Sequence, residues 1–220
     1  MHRLSRREQQ LVTRQRLKQS GLEAMAFRGV QAARIEHVAR DAGLTKGAFY
    51  AHFNDKLAMT LEILQDLQAS ELAYWEAMLD AATDYSSCLD DVICRSGDAS
   101  RAHGLISLEL HLEAERDEAF RPHFVKYIDN LHAEVGRVLT KVLRRHGKAA
   151  PENLHEAVVE MYLIGLSPGL SSYFGSGLNA GSFISSLLRQ QLERIIAAAP
   201  DLTDSERRAD HSESSEPGPF

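Results

Sequence analysis

Cysteine is scarce in this chain: two in 220 residues, Cys88 and Cys94. Two thiols cannot build a disulfide scaffold, and their spacing is not that of a C-x-x-C pair. Six-residue spacing on a helix sets them on different sides, so idle or buried thiols are expected in place of a redox switch. No apolar run approaches the roughly 18 residues that a membrane-spanning helix needs. The basic start, MHRLSRREQQLVTRQRLK, is not followed by the apolar stretch of a secretory signal. A cytoplasmic protein without membrane contact is the expectation. Alternating Val/Ile/Thr/Tyr runs and Asn-Gly or Asp-Gly hairpin turns are also missing, which argues against a sheet. There is no G-x-G-x-x-G, P-loop, H-E-x-x-H or G-x-S-x-G. An all-α enzyme is therefore the weaker functional reading, and no cofactor is expected.

What is present is helical spacing and uneven charge. The net charge of −6 divides into +6 over residues 1–56 and −12 over the remainder. That asymmetry suggests an N-terminal part that meets a polyanion and a body that does not. Leu57, Leu61, Leu64, Leu67/Gln68, Leu72, Trp75 and Leu79 recur at steps of three to four and predict one long amphipathic helix over 57–79. Residues 122–146 repeat the pattern, opening at Pro122 and closing with Arg144, Arg145 and His146 before Gly147. Further helices are expected at 102–115, 152–174 and 180–199, with a shorter one at 86–95. Pro168 predicts a kink near Ile164. The fold class is all-α, with a basic module over 1–56, a helical body over 57–200, and a polar, disordered tail over 201–220. Arg3, Arg6 and Arg7 form a basic N-terminal arm.

Residues 28–57, RGVQAARIEHVARDAGLTKGAFYAHFNDKL, carry the most information. Ile35, Val38 and Ala39 give a short helix its apolar face, and Gly43 can take the left-handed conformation that ends it. Leu44 plugs the turn. Thr45 then caps a second helix whose buried side is Ala48, Phe49 and Phe53. Two short helices joined by a glycine-containing turn form a helix-turn-helix, whose second helix enters the DNA major groove. Its outer face offers Thr45, Lys46, Gly47, Tyr50 and His52, and none of these is acidic.

This segment resembles the DNA-binding module of TetR (tetracycline-repressor-like) transcriptional regulators. The resemblance rests on Val38, Ala39, Ala42, Gly43, Leu44, Thr45, Lys46, Gly47, Tyr50, His52, Phe53 and Lys56, and covers about a quarter of the chain, roughly residues 14–58. It departs from the family at Ala33 and Arg34, where a capping Thr or Ser is usual, and at Met25 in place of Phe. The resemblance implies a homodimer whose N-terminal three-helix domains bind a palindromic double-stranded operator. Its larger C-terminal domain would bind a small-molecule effector. Thr45, Lys46, Gly47 and Tyr50 should sit at the groove, with Tyr50 and His52 on phosphates, Lys56 near one, and Arg34 within reach of another. The set is poor in residues that pair bidentately with bases, so much of the affinity should come from the backbone.

The wide apolar faces of 152–174 and 180–199 are expected to meet a second subunit. The effector pocket should lie among the central helices, with Trp75, Met78, His103, Ile106, Leu110, Phe124, Tyr127, Met161 and Ser167 as candidates for apolar walls and polar anchors. His103 and His111 with Glu109 and Glu113 invite comparison with a metal site, but a surface cluster on an amphipathic helix is the expectation, and no metal is assigned. A regulator whose body senses a protein partner stands as the alternative to one that senses a small molecule.

Overall fold

The computed structural model describes residues 5–81, 97–166 and 180–203. Among them are eight helices and no strand: α1 (Arg6–Arg28), α2 (Ile35–Asp41), α3 (Lys46–Tyr50), α4 (Lys56–Ala81), α5 (Gly97–Arg116), α6 (Arg121–Arg145), α7 (Leu154–Gly165) and α8 (Ala180–Ala198). None is long and apolar enough to cross a membrane among the described residues.

Residues expected in a loose basic arm begin α1 instead. Ser5 and Glu8 form a reciprocal capping box, so Arg6 and Arg7 lie in the first helical turn. Arg3 lies outside the described residues. Arg34 precedes α2 with no side-chain cap, as its sequence implies. Thr45 does cap α3: its Oγ accepts from the Ala48 N–H at 3.2 Å. Between them Gly43 has φ +69°, a conformation costly for any residue with a Cβ.

Leu17, Met25, Val30, Ala33, Val38, Ala39, Phe49 and Phe53 are buried together at the centre of α1–α3. The same cluster continues without a break through Met59, Ile63 and Leu64 of α4 into Ile106, Leu110, Phe124, Tyr127 and Leu131 of α5 and α6. At the α1–α4 crossing, a Cβ on Gly21 would lie 2.7 Å from Met59 Cε, so the absent side chain sets how closely the helices approach. Arg14 adds polar ties there. Its guanidinium lies 4.3 Å from the Phe53 ring centre, donates to the His52 carbonyl and pairs with Glu62, while Lys18 pairs with Asp66.

A second attachment joins α5 to the loop after α1. The Glu109 carboxylate accepts the Val30 N–H at 2.7 Å and the Gln31 N–H at 3.4 Å. Gln31 donates its side-chain amide to Glu113, and Lys56 Nζ donates to the Gln31 carbonyl at 3.0 Å. Gly29, at φ +83°, makes room: a Cβ there would lie 2.9 Å from Glu109 Oε1. The four residues compared with a metal site are thus directed to separate partners. Glu109 and Glu113 hold the loop, and His103 faces Glu71 at 3.4 Å. His111 donates from Nδ1 to the Ser107 carbonyl at 2.8 Å and leaves Nε2 to accept from the Tyr162 hydroxyl at 3.2 Å.

A separate core joins α6, α7 and α8 through Val138, Leu139, Val142, Leu143, Val158, Met161, Leu192 and Ile195. His132 packs edge-on beside it, against His155 at 5.7 Å and Tyr162 at 5.3 Å between ring centres. Residues 201–203, expected to open a polar tail, are held down. Leu202 is buried and its N–H donates to the Gly147 carbonyl, while Lys148 pairs with Asp201 at 2.9 Å. Within the described residues α7 stops at Gly165 with Leu166 as its cap. Pro168 and the kink it prompted, the continuation of that helix to 174, the 86–95 helix, Cys88, Cys94 and the tail beyond 203 all lie outside them.

Two outcomes follow from these contacts. Glu109→Ala removes the acceptor of a partly buried backbone N–H and is expected to cost roughly 1–2 kcal/mol in urea unfolding. The exposed Glu118→Ala should stay within about 0.5 kcal/mol of wild type. Burial, then the neighbouring His155, hold His132 below its ordinary pKa of 6.5. As pH falls through 6.5 the unfolded chain therefore binds more protons than the folded one, so stability is full above that value and declines below it. Tm should drop between pH 7.5 and 5.5 more steeply in wild type than in His132→Gln, and equal slopes would count against the assignment.

Candidate nucleic-acid interface

α3 is only five residues long, and its sequence fixes which way it faces. Phe49 is fully buried, its ring 5.5 Å from Phe53 and 5.4 Å edge-on from Tyr50, so it anchors the helix to the module core. That burial turns Thr45, Lys46 and Gly47 outward as exposed positions, with Tyr50 half exposed beside them. Thr45 spends its hydroxyl oxygen on the cap. No acidic side chain belongs to α3.

Lys46 pairs with Glu36 of α2. That hydrogen bond raises the pKa of Lys46 and lowers that of Glu36, so both stay charged at neutral pH. The pair is solvent-exposed, so water and a passing anion compete for it on even terms. Gly47 needs no special backbone conformation, and the nearest atom to a Cβ built there is Thr45 Oγ at 3.8 Å. Nothing among the described residues requires a glycine at this place; its bareness is available to whatever approaches from outside.

The other expected contacts are less alike. Arg34 is exposed. His52 is half-buried, with its carbonyl committed to Arg14. Lys56 is half-buried at the start of α4, bonded to Gln31, and burial lowers its pKa against the pull of Glu113 and Glu109. The structure thus brings Thr45, Lys46, Gly47 and Tyr50 onto one outward face and sets Lys56 in the junction with the body. Sequence spacing placed Lys56 by its distance from the motif, but nothing in it revealed the Gln31 carbonyl or the two carboxylates of α5.

The body candidates also separate. Ile106, Leu110 and Phe124 are buried in the continuous core and Met161 in the second one. Trp75 packs against the second core, His103 faces Glu71, Met78 is partly buried, and Ser167 lies outside the described residues. Of the candidates among the described residues, Tyr127 lines a cleft between α4 and α6. The sequence reading missed that cleft's other residues, Gln68, Leu72, Asn130 and Leu131 among them. One signal was available: Gln68 interrupts an otherwise apolar stripe.

Comparison with known proteins bears on this surface first. Residues 19–63 match the family model described as bacterial regulatory proteins, tetR family. The HTH-type transcriptional regulator SrpR of Pseudomonas putida is 40% identical over 86 aligned positions, covering 33% of this chain and 38% of the relative. TtgW, an uncharacterised HTH-type transcriptional regulator of the same species, is also 40% identical over 86 positions, covering 33% of this chain and 61% of its own length. The chain therefore spans less than two thirds of these relatives. The fold extends further than the identity. The transcriptional regulator FadR of Bacillus subtilis, solved in complex with stearoyl-CoA, superposes with a TM-score of 0.61 at 12% identity, over 81% of this chain and 97% of that one. Residues 19–63, built on the core and turn described above, thus carry a helix-turn-helix similar to that of the tetR family of bacterial regulatory proteins.

Proposed function

We propose that this chain is a ligand-responsive DNA-binding transcriptional regulator and not an enzyme, a dimeric repressor that leaves its operator when a small molecule binds the body. The observation that carries the reading is the outward face of α3: Lys46, Gly47 and Tyr50 exposed on a helix held from behind by the fully buried Phe49. Lys46 exchanges Glu36 for a phosphate, Tyr50 and His52 reach the backbone, Gly47 permits close approach, and Thr45 and Arg34 flank them. Phosphate contacts of this kind set register, and base edges set specificity.

Residues 1–56 serve as the reader, and 57–200 as sensor and dimer surface. Leu163 of α7 and Phe183 of α8 are 59% and 44% exposed, which supports pairing of two copies through the last two helices. A twofold pair presents two recognition helices about 34–36 Å apart, matching a palindromic site. α4 begins where the module ends, and α5 grips the module loop through Glu109. A ligand that favours one arrangement of these helices therefore changes the pose of α3, and acts only by its differential affinity for the two states.

Mobility shifts on the DNA upstream of its own gene test the reading. Lys46→Ala and Tyr50→Ala should each weaken binding about tenfold, with Lys46→Ala lowering the salt slope by about one phosphate. Gly47→Ala separates fold from function: Tm should hold or rise, since alanine suits a helix better than glycine, while DNA binding falls. Unchanged binding in all three variants would end the proposal.

A further inference from the structure

Arg14 and Arg16 of α1 stand two places apart, which on a helix sets them about 200° apart around the axis. Arg14 turns to α4, where Glu62 and the His52 carbonyl engage it. Arg16 is exposed and reaches the turn between α2 and α3 instead: a Cβ built on Gly43 would lie 2.9 Å from Arg16 Nη2. Gly43 therefore serves the turn twice. Its φ of +69° ends α2, and its bare α-carbon leaves the place that the guanidinium occupies.

The Arg16 side chain makes no ion pair and no hydrogen bond among the described residues. The two carboxylates of α2 are already matched, Glu36 by Lys46 and Asp41 by Arg40 at 3.2 Å. Arg34, which precedes the other end of α2, is exposed and equally unpaired among the described residues. With seven residues α2 is about 10 Å long, so two uncommitted guanidiniums bracket it. Cations gathered at one edge of a module do not stabilise it by themselves; they favour an anion there. The planar fork of a guanidinium can give a phosphate two parallel N–H bonds. Its seat on the turn, away from the outer face of α3, suits the strand at the rim of a groove better than the base edges on its floor.

We propose that Arg16 is a DNA-backbone contact, binding a phosphate at the rim of the groove that α3 enters, so that Arg16 and Arg34 hold one strand at both ends of α2. Arg16 precedes the segment matched by the family model, residues 19–63. The inference rests on the DNA-binding reading above and adds to it a residue of α1 and the kind of contact it makes, one that sets register and carries no sequence information.

Fluorescence anisotropy on the full-length protein tests it with two probes, the DNA upstream of its own gene and a random-sequence duplex of the same length, between 50 and 200 mM KCl. Arg16→Met keeps an aliphatic side chain over Gly43 and removes the charge, so Tm should hold. Affinity for both duplexes should fall by the same factor, about five- to tenfold, and the salt slope should shrink by about 0.9 per subunit. Arg16→Lys should restore the slope and most of the affinity. Arg28→Met, the same loss of charge about 18 Å further along α1, should leave affinity and slope near wild type. A loss confined to the upstream duplex would mean that Arg16 reads bases, and would overturn the phosphate assignment. An unchanged slope in Arg16→Met, an equal loss in Arg28→Met, or a lowered Tm with affinity that Arg16→Lys does not restore would overturn it too. Wild type that binds neither duplex at 50 mM KCl would refute the DNA-binding reading itself, whereas binding that Arg16→Met leaves untouched would refute only the role of Arg16.

Discussion

The contact between α1 and α4 is the constraint that the rest of the molecule inherits. Gly21 has no side chain, Met59 fills the space, and the two helices meet closely enough for Arg14 and Lys18 to reach Glu62 and Asp66. The recognition module therefore has no core of its own. Its buried residues are the near end of a cluster that runs through α4 into α5 and α6. A boundary at residue 56 is functional shorthand; in packing terms the chain is continuous there, and that continuity lets an event in the body be felt at α3.

The same contact changes the meaning of the charge distribution. An excess of six positive charges over residues 1–56 reads as a surface for a polyanion. In the folded chain Arg14 and Lys18 are turned toward carboxylates of α4, and Arg14 and Lys56 toward the carbonyls of His52 and Gln31. Arg14, Lys18 and Lys56 are thus structural ties, while Arg6, Arg7, Arg16, Arg28, Arg34, Arg40 and Lys46 remain exposed along α1, α2 and α3. Composition counts charges without saying which way they point.

Legibility followed range. Thr45 as a cap, Gly43 as a left-handed stop, Phe49 as the buried anchor and the long helix after residue 56 are all decided within a turn or two of sequence, and all could be read from it. Helix starts were off by up to five residues, most at α5, which begins at Gly97 where 102 was expected, because fraying and capping depend on neighbours. The Glu109 clamp, the inward turn of Lys56 and the cleft beneath Tyr127 each depend on residues far apart in the chain. Apolar periodicity could place Ile106, Leu110 and Phe124 on an inner face, but not say whether that face met a void or a filled core. They proved to be filling.

Glu109 holds the loop by its backbone N–H groups and not by its side chains. That grip does not itself read the side chains of residues 30 and 31, which are held instead by the burial of Val30 and the bond from Gln31 to Glu113. Position 29 it does constrain, since any atom beyond the α-carbon would press on the carboxylate that closes over it. Across descendants of this chain, Gly29 and Glu109 should be kept or lost as a single heritable unit.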